Sequence, residues 1–186
     1  MGYAIVVDVS VARSAGASGK PEPEACRRAL VAIRDSGHRV AMSPAVFGEW
    51  MKLAKMKSGI SRSYASIIAI QWLKDMQSSG RVDHIALETD SELRQRALHG
   101  LQSHSRTSSS ARPVAKDFHL VETAMQSDKR VLSLDQRMFD HLGNLQEITN
   151  EVCAVMWVNP INDPAEEWLI AGAPDTPGYH VCELHG

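Results

Sequence analysis

Tyr3-Ala-Ile-Val-Val-Asp8 is a short apolar run, rich in β-branched residues, that ends abruptly in an acid. A run that is apolar at consecutive positions is typical of a strand buried on both faces, as in a parallel sheet. A second run of this kind, Val131-Leu-Ser-Leu-Asp135, also closes on an aspartate. Since parallel strands end at one common edge of a sheet, both acids are predicted to lie there.

Helical patterns alternate with these runs along the chain. Proline or serine marks the predicted helix starts near Pro21, Pro44, Ser61 and Pro113, and glycine marks the ends at Gly37 and Gly80. Strands separated by helices indicate an α/β fold with a central, mainly parallel sheet. We expect one domain over residues 1–158, followed by a C-terminal helix and acidic tail over 159–186.

The composition is that of a globular protein, with 186 residues, 44% hydrophobic residues and a formal net charge of -2. The charge is uneven. Residues 151–186 contain six acids and no lysine or arginine, so the first 150 residues carry a formal +4. A basic body of this kind can attract a phosphate backbone, although dispersed charges that only solubilise the protein would give the same total.

The three cysteines, Cys26, Cys153 and Cys182, are scattered and odd in number. That pattern argues against a disulfide framework and predicts a reducing, cytoplasmic location. Nothing in the sequence has the length and apolar character of a membrane helix, and Asp8 interrupts the N-terminal apolar run, which argues against a signal peptide.

Two further acids join the pair at the predicted sheet edge. Glu49 belongs to the helix that starts at Pro44, and Asp117 to the first turns of the helix that starts at Pro113. Four carboxylates converging on one cleft would repel each other unless a cation joined them. Mg²⁺ and Mn²⁺ prefer oxygen ligands, and a metal pair can activate water and stabilise the leaving oxygen of a phosphodiester.

Four segments together resemble the acidic motifs of PIN-domain ribonucleases, in the family's order, over roughly residues 3–158. They read Ile-Val-Val-Asp8-Val-Ser10, Pro44-Ala-Val-Phe-Gly-Glu49, Lys-Asp117-Phe-His-Leu-Val-Glu-Thr-Ala124 and Val-Leu-Ser133-Leu-Asp135-Gln-Arg-Met-Phe139. Each motif alone is weak, whereas the set of four is fairly specific. The resemblance implies a PIN-like three-layer fold and a single-strand-specific ribonuclease that uses Mg²⁺ or Mn²⁺.

The resemblance also implies roles for individual residues. Asp8, Glu49, Asp117 and Asp135 would be the catalytic, metal-binding acids. Ser10 would support Asp8 through its hydroxyl, and Ser133 would act similarly near Asp135. The nearest branch of the family, the VapC-like toxins, pairs with an antitoxin and forms homodimers. This chain differs from that branch in its long loop after Ser10, its extended segment between Glu49 and Asp117, and its acidic tail.

Basic residues flank the acidic motifs, and Arg13, Lys52, Arg112 and Lys116 are predicted to bind RNA phosphates, with a solvated basic face as the alternative. Counting 100° per residue from Asp117 places Glu122 towards solvent and His119 away from the acids; Asp140 is also assigned to the surface.

Two other functions compete with the nuclease. One is a catalytically silent PIN-like module that binds RNA or protein. The other is a phosphotransfer enzyme, against which the absence of Asp-x-Asp at Asp8-Val-Ser10 counts.

Overall fold

The structure is a computed structural model, and it describes residues 2–54, 66–87, 92, 95, 117–143 and 150–182. Five strands form its sheet: β1 (Ala4–Val7), β2 (Arg39–Met42), β3 (Val82–His84), β4 (Arg130–Leu132) and β5 (Met156–Val158). The strand order is β3-β2-β1-β4-β5, and every neighbouring pair is parallel. The α/β class with a parallel central sheet is therefore confirmed.

Eight helices lie within the described residues. They are α1 (Val9–Ser14), α2 (Pro21–Asp35), α3 (Pro44–Ala54), α4 (Ile67–Ser78), α5 (His119–Met125), α6 (Gln136–Gly143), α7 (Asn150–Cys153) and α8 (Ala165–Ile170). Helix α2 packs against α4 and α8, whereas α5 packs against β1, β2, β4 and α7. Right-handed crossovers in the two directions from β1 put these two groups on opposite faces. The result is a three-layer arrangement consistent with a PIN-like fold.

The apolar pattern of the sequence explains the central strand and its first helix. All four residues of β1 are buried, as expected for a strand covered on both faces. Helix α2 begins with Pro21 and buries Cys26, Ala29, Leu30 and Ile33 at helical spacing. It ends before Gly37, whose φ of 76° suits a residue without a side chain.

Several predicted elements need new boundaries. The residues after Asp8, predicted as the start of a loop, form the short helix α1, which the Asp8 side chain caps. The strand predicted within 151–158 is reduced to Met156–Val158, because helix α7 occupies Asn150–Cys153. The predicted helix starts at Ser61 and Pro113 and the polar helix near 90–102 fall wholly or mostly outside the described residues.

The C-terminal segment packs onto the body instead of extending from it. Helix α8 lies against α2, where Arg28 Nε is 3.2 Å from Glu166 Oε2. The chain then returns along the free side of β5, where Trp157 N donates to Tyr179 O at 2.8 Å and Met156 pairs antiparallel with His180. This return covers an edge strand that would otherwise expose unpaired backbone groups.

That same return overturns the prediction drawn from the cysteines. Cys153 and Cys182 are joined by a disulfide, with their Cα atoms 4.9 Å apart and 29 residues between them in sequence. The prediction was wrong because residue spacing does not reveal that the tail folds back beside α7. The cysteine count therefore no longer argues for a reducing compartment. Among the described helices, none combines the length and apolar character needed to cross a bilayer.

Candidate active site

The strand order creates a crevice between the carboxyl ends of β1 and β4. From β1 the chain proceeds outwards through β2 and β3, and then returns to β4 on the other side of β1. Such a reversal is the place where open parallel sheets bind ligands. Val7 pairs with Leu132, and Asp8 N donates to Leu132 O at 2.9 Å. Asp8 is thus the first residue past β1 at this crevice.

The Asp8 carboxylate is buried, with 7% of the residue exposed. Its Oδ2 accepts hydrogen bonds from the hydroxyls of Ser10 at 2.5 Å and Ser133 at 2.6 Å. Its Oδ1 accepts a longer bond of 3.3 Å from Ser10 N, which makes Asp8 the N-cap of α1. Two hydroxyl donors therefore fix the plane of the carboxylate through one oxygen, and the other oxygen is less strongly engaged.

The two serines connect Asp8 to the loop after β4. Ser10 Oγ accepts from Leu134 N at 3.1 Å, and the buried Ser133 Oγ accepts from Asp135 N at 3.1 Å. Each hydroxyl thus accepts from the backbone of one loop and donates its proton to Asp8. Ser133, expected to act near Asp135, joins the two acids instead of serving one of them.

Asp135 begins helix α6 and is partly buried. Its Oδ1 accepts from Met138 N at 3.0 Å, which is an N-capping bond. The sequence left open whether this residue caps a helix or binds a cation, and the capping role is present. Because the cap engages Oδ1 and the backbone N–H is held by Ser133, the position of Asp135 beside Asp8 is well defined.

Glu49 approaches the same edge from helix α3. Its neighbour Trp50 is buried and donates from Nε1 to Val7 O at 2.9 Å, directly before Asp8. This bond fixes the middle of α3 at the end of β1. The Glu49 side chain is 22% exposed, and its Oε2 lies 3.3 Å from His119 Nε2.

Asp117 is partly buried and lies just before helix α5. Further along α5, the Thr123 hydroxyl is 2.8 Å from the Ser43 hydroxyl, which follows β2 at the carboxyl edge. At the far end, Asp128 Oδ2 accepts from Ala4 N at 2.7 Å, at the amino edge. Helix α5 therefore runs from the carboxyl edge to the amino edge, with Asp117 at the same edge as Asp8.

These acids share an edge of the sheet, but they do not form a ready ligand sphere. Within the described ranges, no three His, Cys, Asp or Glu side chains are grouped so that they could hold a metal ion. Hydrogen bonds link Asp8 to the backbone of Asp135, and Glu49 contacts His119 instead of another acid. The chemistry of the donors suits a hard cation, whereas binding one would require some carboxylates to turn towards Asp8.

Two predictions about helix α5 are wrong. Glu122, expected to face solvent, is buried with 5% exposed, and His119, expected to lie away from the acids, contacts Glu49. The angular count failed because α5 begins at His119, so Asp117 is not part of the same regular helix. Every residue from His119 to Ala124 is buried, and this part of α5 therefore has no solvent face. Asp140 is exposed, as expected.

The predicted RNA-binding residues divide into two groups. Arg13 on α1 and Lys52 on α3 are exposed, and their helices carry or follow the acids Glu49 and Asp8. Arg112 and Lys116 lie outside the described residues.

Comparison with known proteins adds no relative. No protein-family model matches the chain, and no curated protein matches it significantly. The case for a function therefore rests on the four motifs and on the geometry of the crevice.

Proposed function

We propose that this protein is a metal-dependent endoribonuclease that hydrolyses single-stranded RNA with Mg²⁺ or Mn²⁺. The observation that carries the proposal is the buried Asp8 carboxylate at the point where the strand order reverses, oriented by hydroxyls from two separate segments. Burying a carboxylate is costly unless it is hydrogen bonded or paired with a cation. A purely structural aspartate does not need a position at the ligand-binding edge.

The chemistry assigned to the ions is hydrolytic. When bound, they would supply activation of water and stabilisation of charge on the leaving oxygen. Asp8, Glu49, Asp117 and Asp135 would hold them, with Ser10 and Ser133 keeping Asp8 in place. Oxygen donors in excess of basic side chains at this edge are the donor set that Mg²⁺ and Mn²⁺ prefer. The resemblance to VapC-like toxins adds a homodimer and an antitoxin partner to the proposal, on the motifs alone.

One observation favours a second candidate, a catalytically silent module that binds RNA or a protein partner. No three acidic or imidazole side chains are arranged for a metal ion in the part of the chain that the structure describes. In this alternative, Asp8 and Asp135 serve as helix caps, a role that both already fill. The two candidates differ in whether the protein binds a divalent ion.

The nuclease proposal is tested with purified protein and labelled RNA. We expect single-stranded RNA to be cut in Mn²⁺ or Mg²⁺ and to remain intact in EDTA, whereas a duplex of the same sequence stays uncut. Mn²⁺ binding, measured in parallel by calorimetry or electron paramagnetic resonance, separates the alternatives. Protein that binds RNA but takes up no Mn²⁺ at millimolar concentration would establish the silent module.

The basic side chains near the edge give a second prediction. Replacing Arg13 or Lys52 by Gln is expected to weaken binding to single-stranded RNA and to reduce the salt dependence, by about 0.7 in the slope of log affinity against log salt for each lost phosphate contact. Fluorescence anisotropy at several salt concentrations measures that slope, in EDTA so that the RNA stays intact.

Lys129→Gln is the matched control for these two variants. Lys129 is exposed but directly precedes β4, at the opposite, amino edge of the sheet. Its loss should leave the slope unchanged. Equal slopes for all three variants and the wild type would assign Arg13 and Lys52 to the solvated basic face.

A further inference from the structure

His119 is a buried imidazole that the proposed hydrolytic chemistry leaves without a role. Its Nε2 lies 3.3 Å from Glu49 Oε2, and its side chain is 8% exposed. The two residues come from helices α3 and α5, which are far apart in sequence and pack against each other. The contact is thus the place where the third layer of the fold touches one of the four acids.

Both partners of this contact are held by their backbones. The carbonyl oxygen of His119 is 2.6 Å from the Thr123 hydroxyl, which also bonds to Ser43 after β2. Glu49 is held through its neighbour Trp50, which donates to Val7 O. The imidazole therefore projects from a fixed point towards a glutamate whose main chain is also fixed.

The glutamate side chain itself has little other restraint from burial, being 22% exposed. A long side chain loses rotamer freedom when it is fixed, and that loss must be compensated before it can serve as a ligand. A ring N–H donated to Oε2 would select one rotamer of Glu49 and leave Oε1 for a cation. Hydrogen bonds of this kind to ligating carboxylates orient the ligand and tune metal affinity.

We propose that His119 is a positioning residue, which donates from Nε2 to Glu49 Oε2 and so holds that carboxylate ready for a divalent cation. This inference rests on the proposed function, since it assumes that Glu49 ligates the ion. It assigns His119 no contact with RNA and no part in bond breaking. The contact predicts that the two side chains act as one unit in metal binding.

The test measures Mn²⁺ affinity directly by calorimetry or electron paramagnetic resonance, without RNA. His119→Ala is expected to weaken Mn²⁺ binding by about 10- to 100-fold. His119→Gln, whose amide N–H can reach a similar position, should recover most of that loss. In the cycle with Glu49→Gln, the double variant should bind Mn²⁺ no more weakly than Glu49→Gln alone, because the pair acts through one ligand.

His38→Gln is the control for loss of a structural histidine. His38 is buried and hydrogen bonds to Tyr3 N and Leu169 O, before β2 and away from the crevice. Its replacement should lower the thermal midpoint without changing Mn²⁺ affinity. Thermal unfolding of each variant verifies that it is folded, and the glutamine variants keep the test available if His119→Ala is not.

The outcomes separate the two proposals. Wild-type protein that binds no Mn²⁺ would overturn both the nuclease and the role of His119. Wild-type binding with unchanged affinity in His119→Ala, with no recovery in His119→Gln, or with additive losses in the cycle would overturn the role of His119 alone.

Discussion

Asp8→Asn is expected to reduce the rate of RNA cleavage by at least about 100-fold while leaving the fold intact. Ions at a phosphodiester supply several kcal/mol of charge stabilisation, and each ~1.4 kcal/mol corresponds to a tenfold change in rate. Asparagine has the shape of aspartate and can still accept a bond from Ser10 or Ser133, but it lacks the negative charge. The measurements are kcat/KM on single-stranded RNA, Mn²⁺ affinity and the thermal midpoint of both proteins.

The serine that joins Asp8 to Asp135 provides a graded comparison. Ser133→Ala removes one donor to Asp8, so a smaller loss of about 10- to 100-fold is expected. Ser127→Ala is its control, since that hydroxyl bonds to Thr123 O and Ala124 O near the end of α5. Full cleavage by Asp8→Asn would remove the hydrolytic proposal, and equal effects of the two serine variants would reduce Ser133 to a contributor to stability.

The parts of this site that local sequence could predict are those governed by strand ends. An apolar run closed by an acid predicts a buried strand with a carboxylate at its carboxyl edge, as found for Asp8 after β1. The same reasoning predicted Asp135, which follows β4. The parallel sheet then makes the two acids neighbours, because β1 and β4 pair directly. Only the alternation of elements was needed for this step.

Contacts between distant segments were beyond the reach of the sequence. Ser133 stands two residues from Asp135, yet it donates its proton to Asp8, 125 residues away. The contact of His119 with Glu49 likewise depends on how α3 and α5 pack, and the start of α5 at His119 invalidated the angular argument. Sequence periodicity reports which side of one element is apolar, but not which polar groups meet across two elements.

The disulfide carries the other large expected effect. Replacing Cys153 and Cys182 together by Ala is expected to lower the free energy of unfolding by about 3 kcal/mol, because the bond closes a loop with a sequence separation of 29 in the unfolded chain. For a protein of this size that loss corresponds to a fall in thermal midpoint of roughly 6–12 °C. The return of the tail along β5 should loosen with it, since Val181 is fully buried beside Val155. Thermal and urea unfolding of the variant and the wild type measure both quantities.

Thiol counting verifies the premise of that prediction independently. Burial raises the pKa of the remaining cysteine, Cys26, to about 11, so near pH 8 its thiol is protonated and reacts slowly in the folded protein. We expect no rapidly labelled thiol in native protein, one after denaturation without reductant, and three after denaturation with reductant. Cys26→Ala should remove the single thiol without abolishing the sensitivity of the thermal midpoint to reductant. Three thiols in denatured, unreduced protein would show that the bond does not form, and the stability difference assigned to it would then have no basis.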